Sequence, residues 1–254
     1  RLLALGMGGG VLVQRKINVF GAGESVIEEK LLDVTRRGLD PEVGITVADA
    51  VISLRIITRA ASATEAHARI APVENTIRER LGNMVFGVED QELQDVVVLL
   101  LEKSKKTVAT AESITAGLVA NRLGQVPGVS RWLRGGIVAY TNEIKTALLG
   151  VGTDLLDRHG AVSAEVAEAM AQGCRQRFGT DLAVSTTGIA GPESDSSGKP
   201  VGTVFVGIAS ADGVASHTYS WGGTRTEIQS RTAKMALNRL RLNLLAEPDA
   251  QARK

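Results

Sequence analysis

A lone cysteine and three scattered histidines in 254 residues exclude two common devices. There is no second thiol for an internal disulfide, and no ligand set for an ordinary His/Cys zinc site. No apolar run approaches the roughly 18 to 20 residues that cross a bilayer. The longest conspicuous one, Val96 to Leu101, is flanked by Asp95 and Glu102. Charge of one sign is also lacking: 29 basic against 28 acidic residues leave +1, too little to drive polyanion binding by itself. These absences predict a cytoplasmic globular protein with no ordinary His/Cys zinc site and no membrane partner. The opening RLLALGMGGG begins with Arg1 and has no clear small-residue cleavage site. It reads as a fragment start or a processed end.

Familiar catalytic strings are missing too. Neither Ser104 nor Ser113 is followed by Lys at the third position, and Ser113 lacks the flanking glycines of a nucleophile elbow. In GPESDSSGKP the glycines Gly191 and Gly198 are too far apart for a P-loop, and Pro200 stands where Ser or Thr is needed. In GAGESV, Val26 replaces the third glycine of a dinucleotide fingerprint.

What is present is 44% hydrophobic and 22% charged residues, enough to bury a core, over a length that suits two compact units. The first unit reads strand, helix, strand, strand, helix. Its first helix is predicted from about Val26 to Arg37, with Ser25 as cap, Glu28 reaching back, and Gly38 ending it in the left-handed region. A strand with Ile52, Leu54 and Ile56 on one face follows a turn near Ala48 and Asp49. A second helix covers Ala63 to Arg80. The boundary is placed near residue 88, giving units 1–88 and 89–254. Through Lys103 there are twelve basic and fifteen acidic residues, and beyond it seventeen and thirteen, so only the second half leans towards anions.

Beyond the boundary a helix ends among lysines that suit its dipole, followed by strand–helix alternations and a hairpin around Ala211 to Gly213. The predicted fold is a three-layer α/β/α sandwich with a mixed sheet, preceded by a smaller α+β unit.

Three segments place small polar groups just after predicted strands: Thr110 to Gly117, Ala139 to Lys145 and Thr186 to Pro192. Carboxyl-terminal strand ends are where open α/β sheets bind ligands. With a helix expected from Ser113, that serine sits either as an ordinary N-cap or as a nucleophile among unpaired amides that stabilise developing negative charge. Lys145 reads either as an exposed helix lysine or as an enclosed amine whose depressed pKa lets it take the serine proton. Tyr140 and Thr187 have strand-end and turn readings of their own; the four together are more informative than any one. Arg225 begins the last helix, where Thr224 and Glu227 have capping-box spacing, and its guanidinium suits a phosphate or a solvated helix end. Cys174, at helical spacing with Val166, Met170 and Phe178, is assigned to packing. Ser163 near His159 is more simply a helix cap than part of a triad, and His67 and His217 have no neighbouring ligand set.

The motifs TAESITAGLVANRL, GGIVAYTNEIKTALLGV, HGAVSAEVAEAMAQG, TTGIAGP and KPVGTV, with the terminal arginine-bearing helix, resemble the carboxyl-terminal domain of the CinA family over roughly residues 90 to 245. Residues 11 to 88 resemble the KH-like middle region of that family, and the large amino-terminal molybdopterin-binding-like domain of its full-length members has no counterpart in this sequence. The resemblance implies a nicotinamide-nucleotide amidohydrolase that converts nicotinamide mononucleotide and water to nicotinate mononucleotide and ammonia, without a cofactor and as a homodimer. It makes Ser113 the nucleophile and Lys145 its proton acceptor, with Tyr140 and Thr187 supporting the dyad and the reacting amide. Thr115 and Gly188 join the substrate-binding set, and Lys199 and Arg225 face the nucleotide phosphate. Ile114, Ala116, Ser194, Asp195 and Gln229 depart from the family pattern. Two alternatives stand beside this reading: an amidohydrolase for another small amide, and a noncatalytic scaffold whose KH-like region binds nucleic acid or protein. The only GXXG spacing, Gly6 to Gly9, precedes the first strand, and the acidic first half disfavours nucleic acid.

Overall fold

The computed structural model describes residues 10–194 and 198–246, so Gly6 to Gly9 and Asp195 lie outside the described residues. The chain divides into two compact units between Glu92 and Leu93, four residues past the expected boundary. Among the described residues, no helix is long and apolar enough to cross a membrane.

The first unit contains β1 (Val11–Val19), α1 (Glu24–Leu31), β2 (Glu42–Ala48), β3 (Val51–Ala60), α2 (Ala63–Leu81) and β4 (Val85–Val88). The strands form an antiparallel sheet in the order β2-β3-β1-β4. Alternation along β3 sends Ile52, Leu54 and Ile56 into a core shared with Ile17, Val19, Ile70 and Ile77. The expected βαββα order is present, with β4 added as a short fourth strand on β1.

Two details of α1 differ from expectation. The helix starts earlier, because extended Gly23 is its N-cap; Ser25 is already inside the first turn and makes no capping bond. It also ends earlier, at Leu31, where the Thr35 hydroxyl donates to the Leu31 carbonyl and Arg80 holds Asp33. Gly38, at φ +85°, serves the loop beyond. In the β2–β3 hairpin both loop residues, Asp49 and Ala50, are left-handed, as a two-residue turn between twisted strands requires.

The second unit contains α3 (Leu93–Ser104), β5 (Val108–Glu112), α4 (Leu118–Gly124), β6 (Leu133–Val138), α5 (Asn142–Leu149), α6 (Thr153–His159), α7 (Ala164–Phe178), β7 (Leu182–Gly188), β8 (Thr203–Ser210), β9 (Gly213–Ser220) and α8 (Arg225–Ala246). The sheet order is β6-β5-β7-β8-β9. Strand β5 runs parallel to β6 and β7, whereas β8 is antiparallel to β7 and β9, so the sheet is mixed. Helix α7 packs across β5, β7, β8 and β9 with α5 and α6 against it; α8 packs on β7 and β8 beside α3 and α4. This is the three-layer sandwich expected. Cys174 lies in the α7 core with Val166 and Met170, and burial pushes its thiol up to about 12, so it is an inert packing group.

Close helix contact on the α7 side depends on Gly173. A side-chain carbon there would stand 1.8 Å from the Leu149 carbonyl oxygen of α5. Replacing glycine by alanine inside a helix normally gains roughly 0.5–1 kcal/mol. At this position overpacking reverses the sign, and Gly173→Ala is expected to lose about 1–3 kcal/mol. Urea unfolding of the full chain checks this against Gly124→Ala, whose added carbon meets nothing within 4 Å. Equal gains from both variants would contradict the assigned contact.

Candidate active site

Five segments of the second unit meet in one cavity. Ser113 and Ile114 come from the turn after β5; Tyr140, Asn142 and Lys145 from the start of α5; Ala161 and Val162 from the approach to α7; Thr187, Gly188 and Ala190 from the end of β7; and Arg225 from the start of α8. The parallel pairing of β5 with both neighbours brings the first three polar segments to one end of the sheet.

Lys145 is placed by helix geometry. Thr141 caps α5 by accepting from the Ile144 N–H at 3.4 Å, and the four-residue spacing puts Lys145 on one face with Leu149, both buried. The Lys145 side chain is 2% exposed. Its amine lies 3.3 Å from Ser113 Oγ and 3.5 Å from the Tyr140 carbonyl oxygen, and among the described residues no carboxylate pairs with it. Burial pushes its pKa below the ordinary lysine value, against a weaker upward pull from Glu143. A half-buried serine thus faces an amine biased towards its neutral, proton-accepting form.

The surroundings of Ser113 differ from expectation. Helix α4 begins at Leu118, not at Ser113, because residues 113–117 form a turn that ends with Ala116 and Gly117 at φ +50° and +99°. The α4 amides are also occupied. Glu112, 1% exposed, accepts from the N–H groups of Gly117, Val119 and Ala120 at 3.0, 3.0 and 2.8 Å. The Ser113 N–H donates to the Thr186 carbonyl at 2.9 Å. None of these amides is left for an oxyanion. On β7, Ile189 N–H donates towards β8 and the Thr186 carbonyl faces β5. Strand alternation therefore turns the Gly188 N–H towards the β5 side, where Gly188 borders the cavity.

The remaining expected site residues are dispersed in role. Tyr140 is exposed, and its hydroxyl accepts from Arg225 Nη2 at 2.6 Å; Arg225 Nη1 also donates to the Gly191 carbonyl at 2.7 Å. Tyr140 meets the dyad through its carbonyl, not its ring. Thr187 borders the cavity with its hydroxyl donating to the Ala161 carbonyl at 2.7 Å. Thr115 does not line the cavity: it is fully buried, with its hydroxyl 2.7 Å from both Glu112 Oε2 and Thr186 Oγ1. That bonding corrects its expected place among substrate contacts. Lys199 also falls outside the lining, with its amine 3.4 Å from the His159 carbonyl oxygen. Gln229 donates to the Ile114 carbonyl at 2.9 Å, holding the serine turn from α8. Ser163 caps α7 while His159 meets Glu165 at 3.3 Å, so no triad forms there.

Glu112 and Asn142 were absent from the sequence-based site. The signal for Glu112 was Gly117 before the apolar pattern of LVANRL, which marks a helix start later than Ser113. A second hollow between the β8–β9 hairpin and α8 is bordered by Asp212, His217, Arg239 and Asn243. Burial and then Arg239 lower the His217 pKa, and the Ser210 hydroxyl, which also borders this hollow, accepts from the Asp212 N–H at 3.2 Å.

Residues 90–244 match the model of the CinA C-terminal domain, and residues 14–87 match that of the damage-inducible protein CinA KH domain. A putative competence-damage inducible protein from Caldicellulosiruptor bescii is 42% identical over 92% of this chain and 57% of its own length. A CinA-like protein from Dictyoglomus thermophilum is 39% identical over 95% and 59%, respectively. The chain thus spans less than two thirds of the length of these curated relatives. Among solved structures, the competence/damage inducible protein CihA from Agrobacterium tumefaciens is 37% identical with TM-score 0.56, covering 61% of this chain and 97% of that one. A CinA superfamily protein from Escherichia coli is 28% identical with TM-score 0.58, covering 59% and 88%.

The buried amine makes a prediction for stability. Its pKa in the folded chain lies below the ordinary 10.5, so the unfolded chain binds this proton more readily. The penalty is full below the folded-state value, shrinks as pH rises between the two, and vanishes above the upper one. Lys145→Met is therefore expected to be more stable than the wild type at neutral pH, with the gain fading as pH approaches 10.5. Urea unfolding across a pH series measures it, and a gain independent of pH would refute burial of a titrating amine.

Proposed function

The chain belongs to the CinA family, and from that premise we propose that its second unit is a serine/lysine amidohydrolase that deamidates nicotinamide mononucleotide. The observation that carries this reading is the 3.3 Å approach of the buried Lys145 amine to Ser113 Oγ inside a cavity. A serine hydroxyl is a weak nucleophile until a neighbouring base removes its proton, and a desolvated lysine is such a base.

In the proposed sequence the neutral Lys145 amine takes the Ser113 proton as Oγ bonds to the carboxamide carbon. The carbonyl electrons move to oxygen, where the Gly188 N–H is the candidate donor. The Lys145 ammonium returns its proton to the amide nitrogen, the C–N bond breaks, and ammonia leaves an ester on Ser113. Water, deprotonated by the same amine, attacks that ester; the ammonium gives its proton to the departing Ser113 oxygen, and the carboxylic acid released ionises to the carboxylate with its proton passing to solvent. Arg225 uses two of its five N–H donors on Gly191 and Tyr140, and the rest suit a substrate phosphate at the cavity mouth.

Ammonia release from nicotinamide mononucleotide by the purified chain tests the reading. Wild type is expected to turn over, Ser113→Ala to lose turnover, and Lys145→Ala to fall ~10²- to 10⁴-fold, the usual worth of general-base assistance. Arg225→Gln is expected to raise KM more than it lowers kcat. Turnover of a different small amide would keep the dyad and replace the substrate. A folded wild type that releases ammonia from neither would favour the scaffold.

A further inference from the structure

Glu112 immediately precedes the nucleophile, and it is an unusual buried acid. No lysine or arginine pairs with it among the described residues; its carboxylate is held by hydrogen bonds alone. Oε2 accepts from the Thr115 hydroxyl at 2.7 Å and from the Gly117 and Val119 N–H groups at 3.0 Å, while Oε1 accepts from the Ala120 N–H at 2.8 Å. Three of these donors are peptide N–H groups, which cannot reverse to become acceptors. The site therefore suits a group that presents only acceptors at both positions.

The bonds around that carboxylate enclose the serine. The Glu112 carbonyl accepts from the Ala139 N–H at 2.7 Å, fixing the strand just before Ser113. The Ser113 N–H is held by Thr186, and the Ser113 carbonyl accepts from the Ala116 N–H at 3.1 Å. Thr115, bonded to Glu112, also meets Thr186 at 2.7 Å. The turn that carries Ser113 is thus tied to β7, the β6–α5 junction and α4, and the carboxylate is the group that gathers its far side.

We infer that Glu112 is a positioning residue: by occupying the start of α4 it folds the 113–117 turn and sets the direction in which Ser113 Oγ meets Lys145. This inference rests on the serine/lysine reading and adds a second assignment to it. The α4 amides serve the enzyme's own carboxylate, so they anchor the nucleophile and leave the oxyanion to other donors.

The test is the rate at which a fluorophosphonate, a serine-reactive probe independent of the natural substrate, labels Ser113 in the full chain across a pH series. Circular dichroism establishes that each variant is folded. Wild type labels at Ser113, and Ser113→Ala and Lys145→Ala do not label or label far more slowly. Glu112→Gln, which turns an amide NH2 towards a peptide N–H, is expected to label ~10²-fold more slowly, the scale of a misplacement of about 1 Å. The pH at which its rate rises stays at the wild-type value, because Lys145 remains the base. Thr115→Val slows labelling by a smaller factor, and Thr115→Ser restores most of it. Folded Glu112→Gln and Thr115→Val variants that label at the wild-type rate would overturn the inference while leaving the dyad standing. If Glu112→Gln fails to fold, the threonine pair decides. A wild type unlabelled at Ser113 would defeat both assignments.

Discussion

A pleated strand sends neighbouring side chains to opposite faces, and at the end of β5 that rule separates a carboxylate from a hydroxyl. Ala109 and Ala111 pack in the core that contains Leu149 and Val166, so their face belongs to α5 and α7. Glu112 points to the other face, under α4, where its amide partners wait. Ser113, one residue on, returns towards the layer that supplies Lys145. The separation matters electrostatically: a carboxylate on the serine's face would pair with the amine and hold its proton. Placing the acid across the sheet lets one short segment contain both a carboxylate and the serine that meets Lys145, without an ion pair between carboxylate and amine.

The amine's condition follows from that arrangement. Burial favours the uncharged form of lysine, and the opposing influence here is Glu143, in the first turn of α5. Its exposed carboxylate is screened by water, whereas the amine is enclosed by protein. The Tyr140 carbonyl and Ser113 hydroxyl orient the nitrogen without supplying a full negative charge. An ordinary lysine is thereby biased towards its uncharged form by burial, against a weaker pull from Glu143.

The sequence was legible where one periodicity decides the structure. Alternation in β3, the span of α2 and the β8–β9 hairpin follow from residue order, and the segments of Ser113 and Lys145 share one end of the sheet because both follow parallel neighbouring strands. It was less legible where a side chain competes with a backbone expectation. Serine is the default helix cap, so the turn after β5 reads as a helix start; the actual cap is a carboxylate preceding it, and only Gly117 hints at the delay. The family resemblance puts Thr115 among substrate contacts, but a buried acid claims its hydroxyl. In α1, the end is set by Asp33 meeting Arg80, 47 residues away, a contact no local pattern contains. The Tyr140–Arg225 bond spans 85 residues and is equally hidden.

Helix α8 connects these observations. Arg225 and Gln229 are four residues apart, hence on one helix face, and each reaches a different wall of the same cavity region. Arg225 grips the Gly191 carbonyl and the Tyr140 hydroxyl at the mouth; Gln229 grips the Ile114 carbonyl beside Ser113. Gln229 supplies a neutral donor, so the serine turn is held from α8 without a second guanidinium at that position. The Arg225 guanidinium thus stands at the cavity mouth, one helical turn from the neutral Gln229 amide. Uncharged donors bind the inner turn, and burial rather than a neighbouring cation remains the dominant influence on Lys145. The division between a charged rim and a neutral interior follows from two positions one helical turn apart.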